Sequence, residues 1–253
     1  MPNRQINPLL CIPSPRNIKV VKECIDSLPY DKLWMKENFD EVQAYTILRN
    51  YFLEHKEYTH FVILPDDLLV PLSTLEKLID DLKKKDYPVL SGICNFNSEK
   101  FKSYEVDTAV DANHKNGMDY LLQNEAPHRD HFVKSGQLKG IKKVLFSGFP
   151  ITFIKREILE KIDFSNSKGR GLDAAFAVSL LNERIDQYVD FDARSLHLKG
   201  IENCEDISVL IQYQFDEDIS TKVNTKKQVT PRLYLVKAGN KIEELDYAKY
   251  ISV

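Results

Sequence analysis

A chain of 253 residues, 43% of them hydrophobic, is long enough to fill the core of one large α/β domain, with or without an appendage. The net charge of -3 and the pI near 6.1 exclude a broad basic surface, and with it nucleic acid as the main partner. The opening Met-Pro-Asn-Arg-Gln-Ile-Asn lacks the apolar core of a secretion signal, and no run approaches the roughly 20 apolar residues that span a bilayer. A cytoplasmic protein, or one peripheral at a membrane, is therefore expected, without a transmembrane segment.

In chain order, residues 8–12 read as a first strand and Pro13-Ser14-Pro15-Arg16-Asn17 as a rigid loop into a helix over 18–27. A second helix is expected over 40–54, with Val42, Tyr45, Leu48, Phe52 and Leu53 as its inward stripe and Arg49 and Asn50 near its middle. Residues 61–64 form a short apolar run suited to a buried parallel strand, ended by Pro65. Ser73 followed by Glu76 fits a capping box for a helix over 74–85, and 88–93 reads as another buried strand. Repeated strand and helix in this order favours a mostly parallel, Rossmann-like sheet with helices on both faces.

Residues 97–140 are polar and irregular, as in a long active-site loop or an insertion. His128 and His131 have a spacing a metal could use, but without a helix and a third ligand a solvated pair is the simpler reading, and no role is assigned to them. Strand character returns over 144–154, a short helix is expected over 156–162, and Gly169-Arg170-Gly171 precedes Leu172-Asp173 and a helix over 174–183. Asp173 sits where exposed amides favour an acid, so an ordinary N-cap is its bland reading. Residues 188–198 read as paired strands that carry His197, which taken alone is more often a hydrogen-bonded structural residue than a ligand. From about residue 205 the pattern changes to short strands and turns, with strands expected over 209–215 and 232–236 and a turn at Gly239-Asn240. Domain bounds of 1–204 and 205–253 follow, the second a small extension packed on the first. Cys11, Cys24, Cys94 and Cys204 lack metal-type spacing and predict reduced, mostly buried thiols.

The chemistry is expected at Asp66-Asp67. Ligands of open α/β sheets gather beyond the carboxyl ends of the strands, and two adjacent acids there repel unless a cation neutralises them. A turn or capping role is the alternative, which the capping box at Ser73 leaves unneeded.

Several features occur together: an opening strand that ends in a proline loop, Arg49-Asn50 on the helix before the acidic strand, Asp67 followed four residues later by Pro71, and a late Gly-Leu-Asp helix start. In this order, over about residues 8–200, they resemble the GT-A fold of nucleotide-sugar-dependent glycosyltransferases, particularly the inverting family-2-like group. The resemblance implies a metal-dependent transfer of a sugar from a nucleotide-diphosphate donor, UDP- or GDP-linked, to a hydroxyl of a glycan, lipid or protein. It makes Asp67 the last, metal-binding position of an acidic motif whose first position is here Pro65, with Asp66 and Asp67 as the surviving acids. It also makes Asp67 and His197 ligands of Mn²⁺ or Mg²⁺, with Mn²⁺ favoured by mixed oxygen and nitrogen donors. Asp173 is the implied catalytic base, and Pro13, Arg16, Arg49, Asp66, Asp67 and Lys199 are the implied contacts to the nucleotide. Two other readings stand beside this one: a catalytically silent binding or scaffold domain of the same fold, and a sugar-nucleotide nucleotidyltransferase. The second is disfavoured because Cys11-Ile12-Pro13-Ser14-Pro15-Arg16 has no glycine.

Overall fold

The structure, a computed structural model, describes residues 5–15, 18–36, 40–95, 106–114, 121, 131–164, 171–198, 230–239 and 241–251. The elements run β1 (Pro8–Ser14), α1 (Lys19–Asp26), β2 (Lys32–Lys36), α2 (Glu41–Glu54), β3 (His60–Ile63), β4 (Leu68–Leu69), α3 (Leu72–Lys84) and β5 (Val89–Ile93). They continue with β6 (Ala109–Asp111), β7 (Ile141–Ser147), β8 (Thr152–Lys155), α4 (Arg156–Leu159), α5 (Leu172–Asn182), β9 (Gln187–Arg194), β10 (Leu196–His197), β11 (Arg232–Val236) and β12 (Ile242–Leu245). A 3-10 turn over Tyr247–Tyr250 follows.

Ten strands form one sheet in the order β12-β11-β2-β1-β3-β8-β5-β9-β7-β6. The fold is mixed α/β, a large central sheet flanked by helices. The pairing is mixed as well, which corrects the expectation of a mostly parallel sheet. Among the described strands β1 with β2, β1 with β3 and β5 with β9 pair in parallel, while β8 lies antiparallel between β3 and β5 and the remaining pairs are antiparallel.

Alternation along the strands explains the layers. Leu9, Cys11, Phe61 and Ile63 face a core shared with Tyr45, Leu48 and Phe52 of α2 and Phe176 and Leu180 of α5. Their neighbours Leu10, Ile12, Val62 and Leu64 face the other way, onto Val21 and Ile25 of α1 and Leu75, Leu78 and Leu82 of α3. A sheet buried on both faces needs apolar residues at every position, which is why 61–64 shows no polar alternation.

Several expectations are corrected. β2 has no counterpart in the sequence reading, because its three apolar residues lie between two lysines. Lys32 is nevertheless buried, its ammonium donating to the carbonyls of Leu28 at 2.6 Å and Tyr30 at 3.0 Å, and Lys36 lies over the rings of Trp34 and Tyr234. α3 begins at Leu72 with Pro71 as its N-cap and no side-chain cap, so Ser73 and Glu76 do not form a capping box. The preset φ of proline starts this helix. The expected strand over 144–154 is two strands broken at Gly148–Ile151, where Phe149 takes φ +50°. The expected pair over 188–198 is not a hairpin: β9 pairs with β5 and β7, while β10 pairs with β4.

The C-terminal strands lie on the edge of the main sheet, β11 antiparallel to β2 with Arg232 opposite Lys36. Gly239, at φ +102°, turns the chain between β11 and β12. Tyr250 docks against Tyr51, and its carbonyl accepts from Asn50 Nδ2 at 2.8 Å. Cys204 and the strand expected over 209–215 lie outside the described residues. Cys11 and Cys94 are buried free thiols and Cys24 is half-buried.

Candidate functional site

Four strands that run in one direction, β1, β3, β5 and β9, deliver their carboxyl ends to one edge of the sheet. After β1 the chain moves to β2 on one side, then returns across β1 to β3 on the other, so the gap between β1 and β3 is a topological switch point. Pairing there stops at Cys11 opposite Ile63, with Leu64 N still donating to Cys11 O at 3.1 Å. Pro13, two residues beyond Cys11, turns its donor-less nitrogen to that same side, where the ladder has ended. Ser14 and Pro15 follow it at the rim.

Asp66 and Asp67 form the turn after β3, with exposures of only 2% and 6%. The turn carries straight into the two residues of β4. That short strand pairs with β10, setting His197 opposite Leu68, and Leu198 N donates to Asp67 O at 2.8 Å. The consequence is a contact between side chains 130 positions apart: His197 Nε2 lies 3.2 Å from Asp67 Oδ2. His197 Nδ1 is buried and has no hydrogen-bond partner among the described residues.

The wall continues from this pair. Cys94, just past β5, has its thiol pushed up to about 12, by burial first and then by the charges of Asp67 and Asp107, against a hydrogen bond from Thr108 and the charge of Arg194. Cys94 Sγ is 3.6 Å from Thr108 Oγ1, and Gly148 N donates to Thr108 O at 2.9 Å. A Cβ on Gly148 would come 3.3 Å from Thr108 Cβ and 3.7 Å from Asp173 Oδ2, so the absence of a side chain at 148 lets these three segments meet. On the other flank burial, and then the nearby charges of Glu41, Asp66 and Asp67, push the Tyr45 phenol up. Its ring leans on Phe149, which is strained into the left-handed region and held by Phe164 and Phe176.

Asp173 is the second residue of α5, whose N-cap is Gly171 with no side-chain cap. Its Oδ1 accepts from Ala174 N at 2.7 Å, and a Cβ on Gly171 would fall 2.8 Å from that oxygen. Burial raises its carboxyl above the usual range, against the pull of the amides of Ala174 and Asp173 itself. Asp173 borders the wall through Gly148 and Thr108, and no hydrogen bond joins it to Asp67 or His197.

Arg49 has a different task. Its Nε donates to the carbonyls of Leu159 at 2.9 Å and Ile162 at 3.2 Å, and its Nη1 to Asn50 Oδ1, which ties α2 to the end of α4. Those bonds give it a packing role. Arg16 and Lys199 lie outside the described residues, as does His128. His131 stands edge-on to His114 at 5.7 Å, and both line a separate cavity of about 620 Å³ with Asp111 and Phe132.

Sequence reading missed Arg194 and Asp107. Arg194 ends β9 and forms a forked pair with Asp107, Nη1 to Oδ1 at 3.2 Å and Nη2 to Oδ2 at 3.3 Å. Asp107 belongs to the polar stretch in which no periodicity singles out a residue, and no local signal marks the pair.

The donors present, a carboxylate oxygen and an imidazole nitrogen 3.2 Å apart, suit neighbouring ligands of one ion, since bonds of roughly 2.1 Å at right angles put ligands about 3 Å apart. Among the described residues no group of three or more His, Cys, Asp or Glu side chains is placed to hold a metal. Any ion here would need water or phosphate oxygens to complete its shell, the usual habit of Mg²⁺. Among the described residues no helix is long and apolar enough to cross a membrane.

No protein-family model and no curated protein matches the sequence. Among solved structures, similar chains include A197 from STIV, at 15% identity and a TM-score of 0.45, over 95% of each chain. They also include CMP:2-keto-3-deoxy-manno-octonic acid synthetase complexed with CTP, at 10% identity and a TM-score of 0.43, over 81% of this chain and 98% of that one. Inositol-1-phosphate CTP transferase from T. maritima has 9% identity and a TM-score of 0.41, over 81% of this chain and 75% of that one. By their names the last two are a synthetase and a CTP transferase and neither is a glycosyltransferase, so the resemblance to the GT-A glycosyltransferases is corrected, and the hexosyl-transfer activity drawn from it is unsupported. The reason is physical: a strand, a loop, a helix and an acidic strand end in that order build a crevice for phosphates in any open α/β sheet, and that order does not say which bond is broken.

Proposed function

We propose that the chain is a metal-assisted nucleotidyltransferase, which joins a nucleoside monophosphate unit from a nucleoside triphosphate to an oxygen of a sugar-type or polyol acceptor. The observation that carries this reading is the Asp67–His197 contact at the switch point between β1 and β3. A largely buried acidic pair at a strand end suits a substrate that arrives as a cation–phosphate complex.

In this reading Asp67 and His197 hold Mg²⁺ or Mn²⁺, with Asp66 beside them, and the ion supplies neutralisation of the triphosphate and of the departing charge. Pro13 and the rim after β1 border the nucleotide, and Arg16 and Lys199 remain candidate phosphate contacts from the sequence. The acceptor oxygen forms a bond to the α-phosphorus as the bond from that phosphorus to the bridging oxygen breaks, and pyrophosphate leaves with the electron pair. The acceptor's proton passes to Asp173, whose burial raises its affinity for it.

Calorimetric titration of CTP, UTP, GTP and ATP with Mg²⁺ or Mn²⁺, followed by a pyrophosphate-release assay with sugar and polyol phosphates, tests the reading. Tight metal-dependent binding of one triphosphate, lost in Asp67→Asn, is the expected result. Binding that ignores the metal or the substitution sinks it. A specific observation favours a second reading, a binding domain without turnover: the described residues offer two ligand side chains in contact and no third. Triphosphate binding without pyrophosphate release from any acceptor would select it.

A further inference from the structure

We infer that Arg194 is an anion-binding residue of this crevice, seating a phosphate-type oxyanion beside the Asp67–His197 pair; the inference rests on the reading that the crevice holds phosphates. Arg194 lies at the carboxyl end of β9, opposite Ile93 of β5, and three residues before His197. It therefore shares the sheet edge that carries Asp66 and Asp67.

The simplest role for Arg194 is to neutralise Asp107, which has no exposed surface and would be costly to bury alone. The donor geometry goes further than that. Nη1 donates to Asp107 Oδ1 and to Asn95 Oδ1 at 3.3 Å, and Nη2 donates to Asp107 Oδ2. A guanidinium has five N–H donors. Among the described residues the Nε hydrogen and the second Nη2 hydrogen meet no acceptor, and the side chain keeps 40% exposure. The fork on Asp107 fixes the guanidinium plane, so an incoming oxyanion would meet a donor pair that is already oriented and loses little freedom on binding. A cation held at Asp67 and the guanidinium at the end of β9 would then bracket one phosphate chain from two directions.

The test titrates inorganic pyrophosphate, CTP and a sugar phosphate, each with Mg²⁺, into the wild-type chain and Arg194→Lys. Lysine keeps the charge that neutralises Asp107 but loses the fork. An unchanged melting temperature is expected, with pyrophosphate and CTP weakened about 10–100-fold. A loss confined to the sugar phosphate would assign the oxyanion to the acceptor instead. Equal affinity of both proteins for all three probes overturns the inference while leaving the nucleotide reading intact. Pyrophosphate bound through Arg194 by a chain that binds no triphosphate does the reverse, and a wild type that binds none of the three removes both. Should Arg194→Lys fail to fold, phenylglyoxal labelling of the wild type replaces it. Pyrophosphate must then shield Arg194 from modification, as read by mass spectrometry, and an unshielded Arg194 overturns the inference.

Discussion

Two arginines in different regions show how the same side chain serves packing in one place and stays available in another. At the start of α4, Arg156 donates to the carbonyls of Phe52 and Leu53 in the last turn of α2 and of His55 and Tyr58 beyond it, at 2.7–3.2 Å, and stacks on the Phe52 ring at 4.3 Å. Every nitrogen of its guanidinium is engaged, and the carbonyls it meets are those a helix end and the following turn leave open. At the strand-end crevice, Arg194 is anchored by one buried carboxylate and an amide oxygen and keeps donors toward solvent. Saturated donors mark a cation that holds the fold, and spare, oriented donors mark one that can meet a ligand.

The largest effect that separates the two regions is expected at Arg156. Arg156→Met should cost about 3 kcal/mol in urea unfolding, because it leaves several carbonyls without donors, while nucleotide affinity measured above the unfolding transition of neither protein stays unchanged. Asp67→Asn should do the opposite: metal-dependent CTP affinity falls about 100-fold by calorimetry with no loss of thermal stability, since the substitution removes one of two crowded carboxylates. A destabilised Asp67→Asn would mean that the acidic turn holds the fold together and the contrast fails. His197→Gln should weaken the same affinity about tenfold, and an unaltered metal dependence would remove the imidazole from the ligand set.

The smallest expected effect is on pH dependence at Asp173. Its carboxyl is raised in the folded chain, so the folded state keeps that proton to higher pH than the unfolded chain does. Its contribution is therefore fully present below the ordinary carboxylate value of about 4 and is lost as pH rises through the raised folded value. Asp173→Asn should melt above the wild type at pH 7, with the difference shrinking as the pH approaches 4. A constant difference across that range would show that the carboxyl titrates normally.

Much of the frame was legible in the residues. Periodicity along 40–54 and 74–85 and the apolar run at 61–64 read as helices and a strand, which the structure places at Glu41–Glu54, Leu72–Lys84 and His60–Ile63, because each buries a face that its own spacing defines. β2 was not legible, since Lys32 reaches its carbonyl partners only after Leu28 and Tyr30 have folded around it. The capping box at Ser73 looked sound by pattern, but Pro71 begins the helix two residues earlier than a serine cap would. The packing bonds of Arg49 were not legible either. Its partners Leu159 and Ile162 lie more than a hundred residues away, where no local pattern reaches.

What the sequence alone determined is the list of hydrophobic segments and the presence of two carboxylates at a strand end, because burial period and proline punctuation are local properties. The tertiary structure alone decided that β8 would run against its neighbours, that the two-residue strand β4 would find β10, and that His197 would thereby face Asp67 while Arg194 was clamped by Asp107. Such contacts depend on how strands are ordered across the sheet, a property of the whole chain that no window of residues contains.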